Sequence, residues 1–167
     1  IFQSVIREIS ESTGKTYGTD IKYDIAMRVI ADHLRAVSFA IADGQLPSNN
    51  KAGYVVRRIL RRAVRYGYNN LGMEEPFIHK LVPVLAGVMG DQYPELIVKK
   101  DEISKIILEE ETTFLKTLGK GLKLIDTIIA GSKTLKTDIL PGDVAFKLYD
   151  TYGFPIDLTQ LILKEKG

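Results

Sequence analysis

The stretch from Gly53 to Tyr66 constrains the fold more than any other part of this chain, because it sorts its residues between two chemistries at helical spacing. At about 100° per residue, Val55, Val56, Ile59, Leu60, Ala63 and Val64 fall on one half of a helix, and Arg57, Arg58, Arg61, Arg62 and Arg65 on the other. No strand period of two accommodates that division. The apolar half predicts a face seated in a core, and the arginine half predicts five guanidiniums pointing away from it. Guanidinium stays charged at working pH and matches phosphate geometry, so the arginine face implies a polyanion.

The same periodicity extends through most of the chain. Ile1, Val5, Ile6 and Ile9 mark a short amphipathic helix ending near Thr13-Gly14. Ile25, Val29, Ile30, Val37, Ala40 and Ile41 mark a long helix over 21–42, capped by Thr19 or Asp20. Within it, His33 reads as a packing histidine, and Asp32 with Arg35 as an ion pair between helices. Phe77 to Met89 predicts a helix kinked at Pro83 and ended by Gly90. A longer run from about Pro94 to Ala130 carries a stripe that includes Leu96, Ile97, Ile103, Ile107, Phe114, Leu118 and Ile125. Glu109-Glu110-Glu111 falls inside it beside Lys105 and Lys116 and reads as a solvated charged face. Beyond a polar loop, with room for a short strand pair around Thr134 to Leu140, come a helix over Val144 to Asp150 and a bend at Tyr152-Gly153-Phe154-Pro155. Pro155 then opens a last helix over Ile156 to Lys166.

These elements predict an all-α chain: a helical bundle, a long connecting helix and a small C-terminal helical unit. The subdomains expected are 1–92 and 93–167. With 167 residues, 45% of them hydrophobic, a core covering roughly 70% of the unfolded surface is within reach. The chain contains no cysteine, which excludes disulfides and thiolate metal sites, and His33 and His79 are too far apart to read as a metal motif. No apolar run approaches the ~18 residues of a membrane span and the N-terminus lacks a signal-peptide layout, so no membrane is expected and a soluble, cytoplasmic chain is. Beginning at Ile1 and ending directly after an apolar-periodic stretch, the chain is expected to be a piece of something longer.

Charge is uneven along the sequence. Between Asp43 and Glu74 there is no acidic residue, while Lys51 and the five arginines give that window +6 against a total of +2. Local basicity of this kind marks a binding patch. Just ahead of the arginines, Gly44 to Gly53 must turn, and Ser48 and Asn49 lie where the first amides of the helix need acceptors. Capping is one role for them. Contact with a base edge is the other, since an asparagine amide both donates and accepts. No glycine-rich phosphate loop after a strand, G-x-S-x-G or H-E-x-x-H motif is present, so the residues read as a helical nucleic-acid-binding module with no catalytic set. A helix-turn-helix DNA module fits poorly, because about ten residues precede the arginine helix where that motif has three or four.

Three segments carry a family resemblance: DIAMRVIADHLRA at 24–36, DGQLPSNNKAGYVVRRILRRAVRYG at 43–67 and AFKLYDTYGFPIDLT at 145–159. Together, in this order, they resemble the tRNA-recognition region of the alanyl-tRNA synthetases, and the likeness spans essentially the whole chain. That resemblance implies a helical region between a class II aminoacylation domain and an editing domain. It further implies ATP and Mg for the parent enzyme and Zn in the editing domain, with no cofactor and no catalytic residue in this piece. The partner implied is the acceptor stem of tRNA-Ala, whose G·U wobble pair would be recognised by Asn49 and Asp150. Arg57, Arg58, Arg61, Arg62 and Arg65 would then hold the RNA backbone. The alternative is a structural spacer whose arginines dock on the catalytic domain and which has no RNA specificity of its own.

Overall fold

The structure, a computed structural model, describes residues 2–135 and 139–166, with side chains for 2–131 and 139–166. Among the described residues the chain is all helical, with no strand. Its elements are α1 (Phe2–Thr13), α2 (Ile21–Ala42), α3 (Lys51–Leu71), a 3₁₀ turn (Ile78–Leu81), α4 (Val82–Met89), α5 (Pro94–Val98), α6 (Lys100–Leu135), α7 (Gly142–Asp150) and α8 (Ile156–Lys166). The expected strand pair around Thr134 to Leu140 centres on residues outside those described. No described helix is long and apolar enough to cross a membrane.

The chain divides into two compact units, Ile1–Thr112 and Thr113–Gly167. In the first, α2 and α3 form the most closely packed pair. Met27, Ile30, Leu34, Val37 and Ile41 of α2 are buried together with Val56, Leu60, Ala63 and Val64 of α3, at the three- and four-residue spacing of one helix face. Asp20 caps α2, its carboxylate accepting from Lys22 N at 2.8 Å. Gly72 closes α3 in the left-handed region at φ 73°, where a side chain would be strained. Val5, Ile6 and Ile9 of α1, and Ile78, Leu81, Val82 and Leu85 beyond α3, are buried in the same unit. The second unit is smaller. Phe114, Leu118 and Ile125 of α6 are buried, as are Leu148, Phe154, Leu158 and Ile162 around α7 and α8.

Several local expectations change. Pro83 sits in the first turn of α4 instead of kinking a longer helix, because proline lacks the N–H that an interior position would need; the residues before it wind as a 3₁₀ turn. The run from Pro94 breaks at Lys99 (φ −98°, ψ 8°), whose ammonium donates to the carbonyl of Ala42 at 2.5 Å. With that break Ile97, expected in the buried stripe, is 53% exposed. Asp32 pairs with Arg35 within α2, Oδ1 to Nη2 at 3.6 Å, one turn apart, so this is no bond between helices. His33 Nδ1 lies 3.4 Å from Asp32 Oδ2, and burial, with the positive charge of Arg62 adding, lowers its pKa against the opposing effect of Asp32. It packs largely within the unit, with its side chain 17% exposed, as the sequence indicated.

Candidate nucleic-acid interface

The loop ahead of α3 is shaped by Gly53. Ser48 N donates to Gly53 O at 3.0 Å, and Ser48 Oγ donates to the carbonyl of Asn50 at 2.9 Å, so the chain folds back onto the first turn of the helix. A Cβ on Gly53 would overlap both Ser48 Oγ and the carbonyl oxygen of Leu46. Gly53 is therefore needed for close backbone approach. Gly53→Ala is expected to move the loop and cost about 1–3 kcal/mol, read as a lower denaturation midpoint. A variant as stable as the parent would show that the loop yields freely. The turn holds Lys51 at φ 51°, in the left-handed region sparsely used by non-glycine residues.

Asn50 occupies the N-cap position of α3 without a side-chain cap bond. Asn49, one residue earlier, is exposed, and its Oδ1 accepts from Arg57 Nη1. Arg57 in turn binds a carboxylate from far along the chain, with Nη2 2.6 Å from Glu110 Oε1. Arg61 Nη2 approaches the other oxygen, Glu110 Oε2, at 3.3 Å. One α6 carboxylate thus bridges two arginines on successive turns of α3, and its side chain is only 13% exposed. Burial lowers the pKa of Arg61 and the neighbouring Arg57 charge lowers it further, against the pull of Glu110.

These contacts correct the expectation that all five guanidiniums point away from the core. Arg65 is buried at 4% exposure, its guanidinium 5.3 Å from the centre of the Tyr66 ring. Arg58 and Arg62 are half-buried. Val55, assigned to the apolar face, is 46% exposed. Helical spacing fixes each side chain's direction around the axis, but which element lies over a direction is a tertiary matter. Glu109-Glu110-Glu111 is likewise not one solvated face. Glu109 is exposed, Glu110 holds the arginines, and Glu111 is buried at 1% exposure, its Oε1 accepting from Phe77 N at 2.9 Å and Ile78 N at 3.1 Å. The only sign of this in the sequence was three acidic residues placed where the helical stripe turns inward.

Asp150 belongs to the second unit, at the last residue of α7, and is exposed. The chain turns sharply after it. Gly153 takes φ 70°, and Phe154 N donates to Leu148 O at 2.9 Å, which seats the Phe154 ring in the core and leaves Asp150 outside. Thr117 Oγ1 donates to the carbonyl of Tyr152 at 2.8 Å and fixes the bend to α6. The structure therefore brings Asn49 together with Arg57, and Arg57 and Arg61 together through Glu110, while Asp150 is positioned by a separate set of contacts in its own unit. Among the described residues no three His, Asp or Glu side chains group so as to hold a metal ion.

Asn49 is exposed in the loop ahead of α3, with arginines on the helix that follows, and Asp150 is exposed at the end of α7, each in its own unit of an all-helical chain. The family described as tRNA synthetases class II (A) matches residues 1–167, and the chain belongs to that family. More particularly, it is 59% identical over 167 residues to an alanine–tRNA ligase of Parabacteroides distasonis, a match that takes in 100% of this chain and 19% of that ligase. The alanine–tRNA ligase of Christiangramia forsetii is 58% identical over the same length, and that of Flavobacterium psychrophilum 51% over 176 aligned positions. The chain spans about a fifth of the length of these curated relatives.

Proposed function

We propose that this chain is the tRNA-recognition region of an alanine–tRNA ligase, lying between its aminoacylation and editing domains, and that it reads the G·U wobble pair in the acceptor stem of tRNA-Ala. The observation that carries this reading is the state of Asn49: an exposed amide fixed by an arginine at the mouth of a basic helix. Guanidinium has donors only, so it must face Oδ1, and the Nδ2 donors are left for acceptors on a base edge. Asp150 is an acceptor only. A wobble pair leaves the guanine 2-amino group unpaired in the wide, shallow minor groove of A-form RNA, where a carboxylate can accept from it. An ordinary pair that engages that amino group would leave the carboxylate beside phosphates without a donor. Under this reading Asn49 offers donors and Asp150 an acceptor to the RNA.

The arginines of α3 contribute position and affinity through the RNA backbone, which carries no sequence information. Arg57, Arg58, Arg61 and Arg62, which keep part of their surface exposed, would supply that contact, whereas Arg65, buried at 4% exposure, supports the helix from within. ATP and Mg2+ would serve the aminoacylation domain and Zn2+ the editing domain, and this chain's own residues would bind and orient RNA in the cytoplasm without joining the chemistry.

The test is binding of a tRNA-Ala acceptor hairpin by the chain, with a G·U or a G·C pair at the recognised position. The parent is expected to prefer G·U, and Asp150→Ala to erase that preference at a cost of about 1–3 kcal/mol for the cognate hairpin. Affinity should fall with log salt at about 0.7–0.9 per phosphate contacted. Equal preference in variant and parent would remove Asp150 from the reading, and a chain with no salt-dependent affinity for either hairpin would sink the RNA function.

A further inference from the structure

We propose that Glu110 is a positioning residue for base recognition: without touching RNA, it holds Arg57, and through Arg57 the amide of Asn49, in the orientation that reads the base pair. This rests on the assignment of Asn49 above. The chain of contacts is continuous. Glu110 Oε1 accepts from Arg57 Nη2, Arg57 Nη1 donates to Asn49 Oδ1, and Glu110 Oε2 faces Arg61 Nη2.

Each link has a physical reason. An exposed asparagine amide on a loop turns freely, and its oxygen and nitrogen ends have opposite hydrogen-bonding character. Turned the wrong way, Asn49 would set N–H donors against guanidinium donors, which excludes that orientation while Arg57 is in place. Arg57 alone would not stay in place: beside RNA, an unanchored guanidinium binds phosphate bidentately. Glu110 competes with phosphate for it. The carboxylate is only 13% exposed, its partner Arg57 20% and Arg61 12%, so the pair is shielded from solvent more than an ordinary surface bridge. Two arginines on one carboxylate also leave the cluster with a net positive charge. Glu110 lies on α6, 53 residues from Arg57 in sequence, so the loop that carries Asn49 is tied to a distant helix.

The experiment measures hairpin binding by the full chain for the parent, Glu110→Gln, Arg57→Lys and Asn49→Ala, each with G·U and G·C hairpins over a salt series. Glutamine keeps the shape of Glu110 and removes its charge. Lysine keeps the charge of Arg57 but replaces the planar fork, whose two Nη atoms reach the amide and the carboxylate separately, by a single ammonium. Glu110→Gln is expected to lower the G·U to G·C affinity ratio about tenfold, the scale of one good base contact. It should also steepen the salt slope by about 0.7–0.9, because Arg57 is released to phosphate. Arg57→Lys should lower the ratio likewise, and adding Asn49→Ala to Glu110→Gln should lower it no further. If Asn49→Ala lowers the ratio and Glu110→Gln and Arg57→Lys leave it intact, the positioning role is overturned and the assignment of Asn49 stands. A lowered ratio with an unchanged or shallower salt slope makes Glu110 a fold-supporting residue only and overturns it too. A parent ratio that Asn49→Ala does not alter overturns both.

Discussion

Glu111→Gln is expected to stabilise the chain above neutral pH relative to the parent, by an amount that grows to about 3 kcal/mol between pH 4.5 and pH 8. Burial pushes the Glu111 carboxyl up to about 7 from 4.5, against the lowering effects of the backbone N–H groups of Phe77, Ile78 and His79 and of the Lys80 charge. A carboxyl whose folded value is raised contributes stability that is fully present below its unfolded value. That contribution is lost as pH rises through the folded value, here from about 4.5 to about 7. Glutamine has an Oε1 that accepts from Phe77 N and Ile78 N just as the carboxyl does, and it has no charge to bury. His79, whose Nδ1 lies 3.6 Å from Glu111 Oε2, has its own pKa lowered by burial, so its contribution is lost as pH falls. The two groups are told apart by direction: the His79 contribution is lost as pH falls, whereas the Glu111 contribution is lost as pH rises. Glu111→Ala acts otherwise: it strands two buried N–H groups at the start of the 3₁₀ turn and should cost about 2–6 kcal/mol at pH 5. Denaturant titrations at pH 5 and pH 8 check both. A difference between parent and Glu111→Gln that does not change with pH would falsify the assignment of a protonated carboxyl.

The second large effect is expected at Phe154. Its ring is fully buried, meets Phe114 edge to face with centroids 5.7 Å apart, and lies so close to α6 that a Cβ on Gly121 would overlap it. Truncation to alanine removes that ring from a unit of few large buried side chains and should cost about 3–5 kcal/mol. Because the loss falls on residues that do not build the first unit, amide exchange in α7 and α8 should accelerate strongly while the α2 and α3 amides keep their protection. Asp150 sits on α7, so preference for the G·U hairpin should decline in the same variant. Uniform acceleration across both units would show that the second has no separate stability.

Much of the fold was legible in the residues. The periodicity of 21–42 and 53–66 located α2 and α3 and the faces they bury against each other, since a helix commits each side chain to a direction through local geometry alone. The Gly153-Phe154-Pro155 bend and the start of α8 were legible for the same reason: their φ restrictions belong to the residues themselves. Pro83 was misplaced within its helix because proline fits both a kink and a first turn, and only the packing of the preceding 3₁₀ turn separates the two.

What the sequence alone determined was the all-helical class and the helical placement of the arginines, and the resemblance of its motifs pointed to Asn49 and Asp150 as candidates for base contact. Tertiary structure alone decided how those charges are used. Three consecutive glutamates look alike in sequence, yet one is exposed, one clamps Arg57 and Arg61, and one is buried on backbone amides. Their partners lie 33 to 53 residues away by number, and a local pattern of spacing holds no information about which distant group will arrive at a given face. Charge sets what a residue can bind, but the chain that folds over it sets what it does bind.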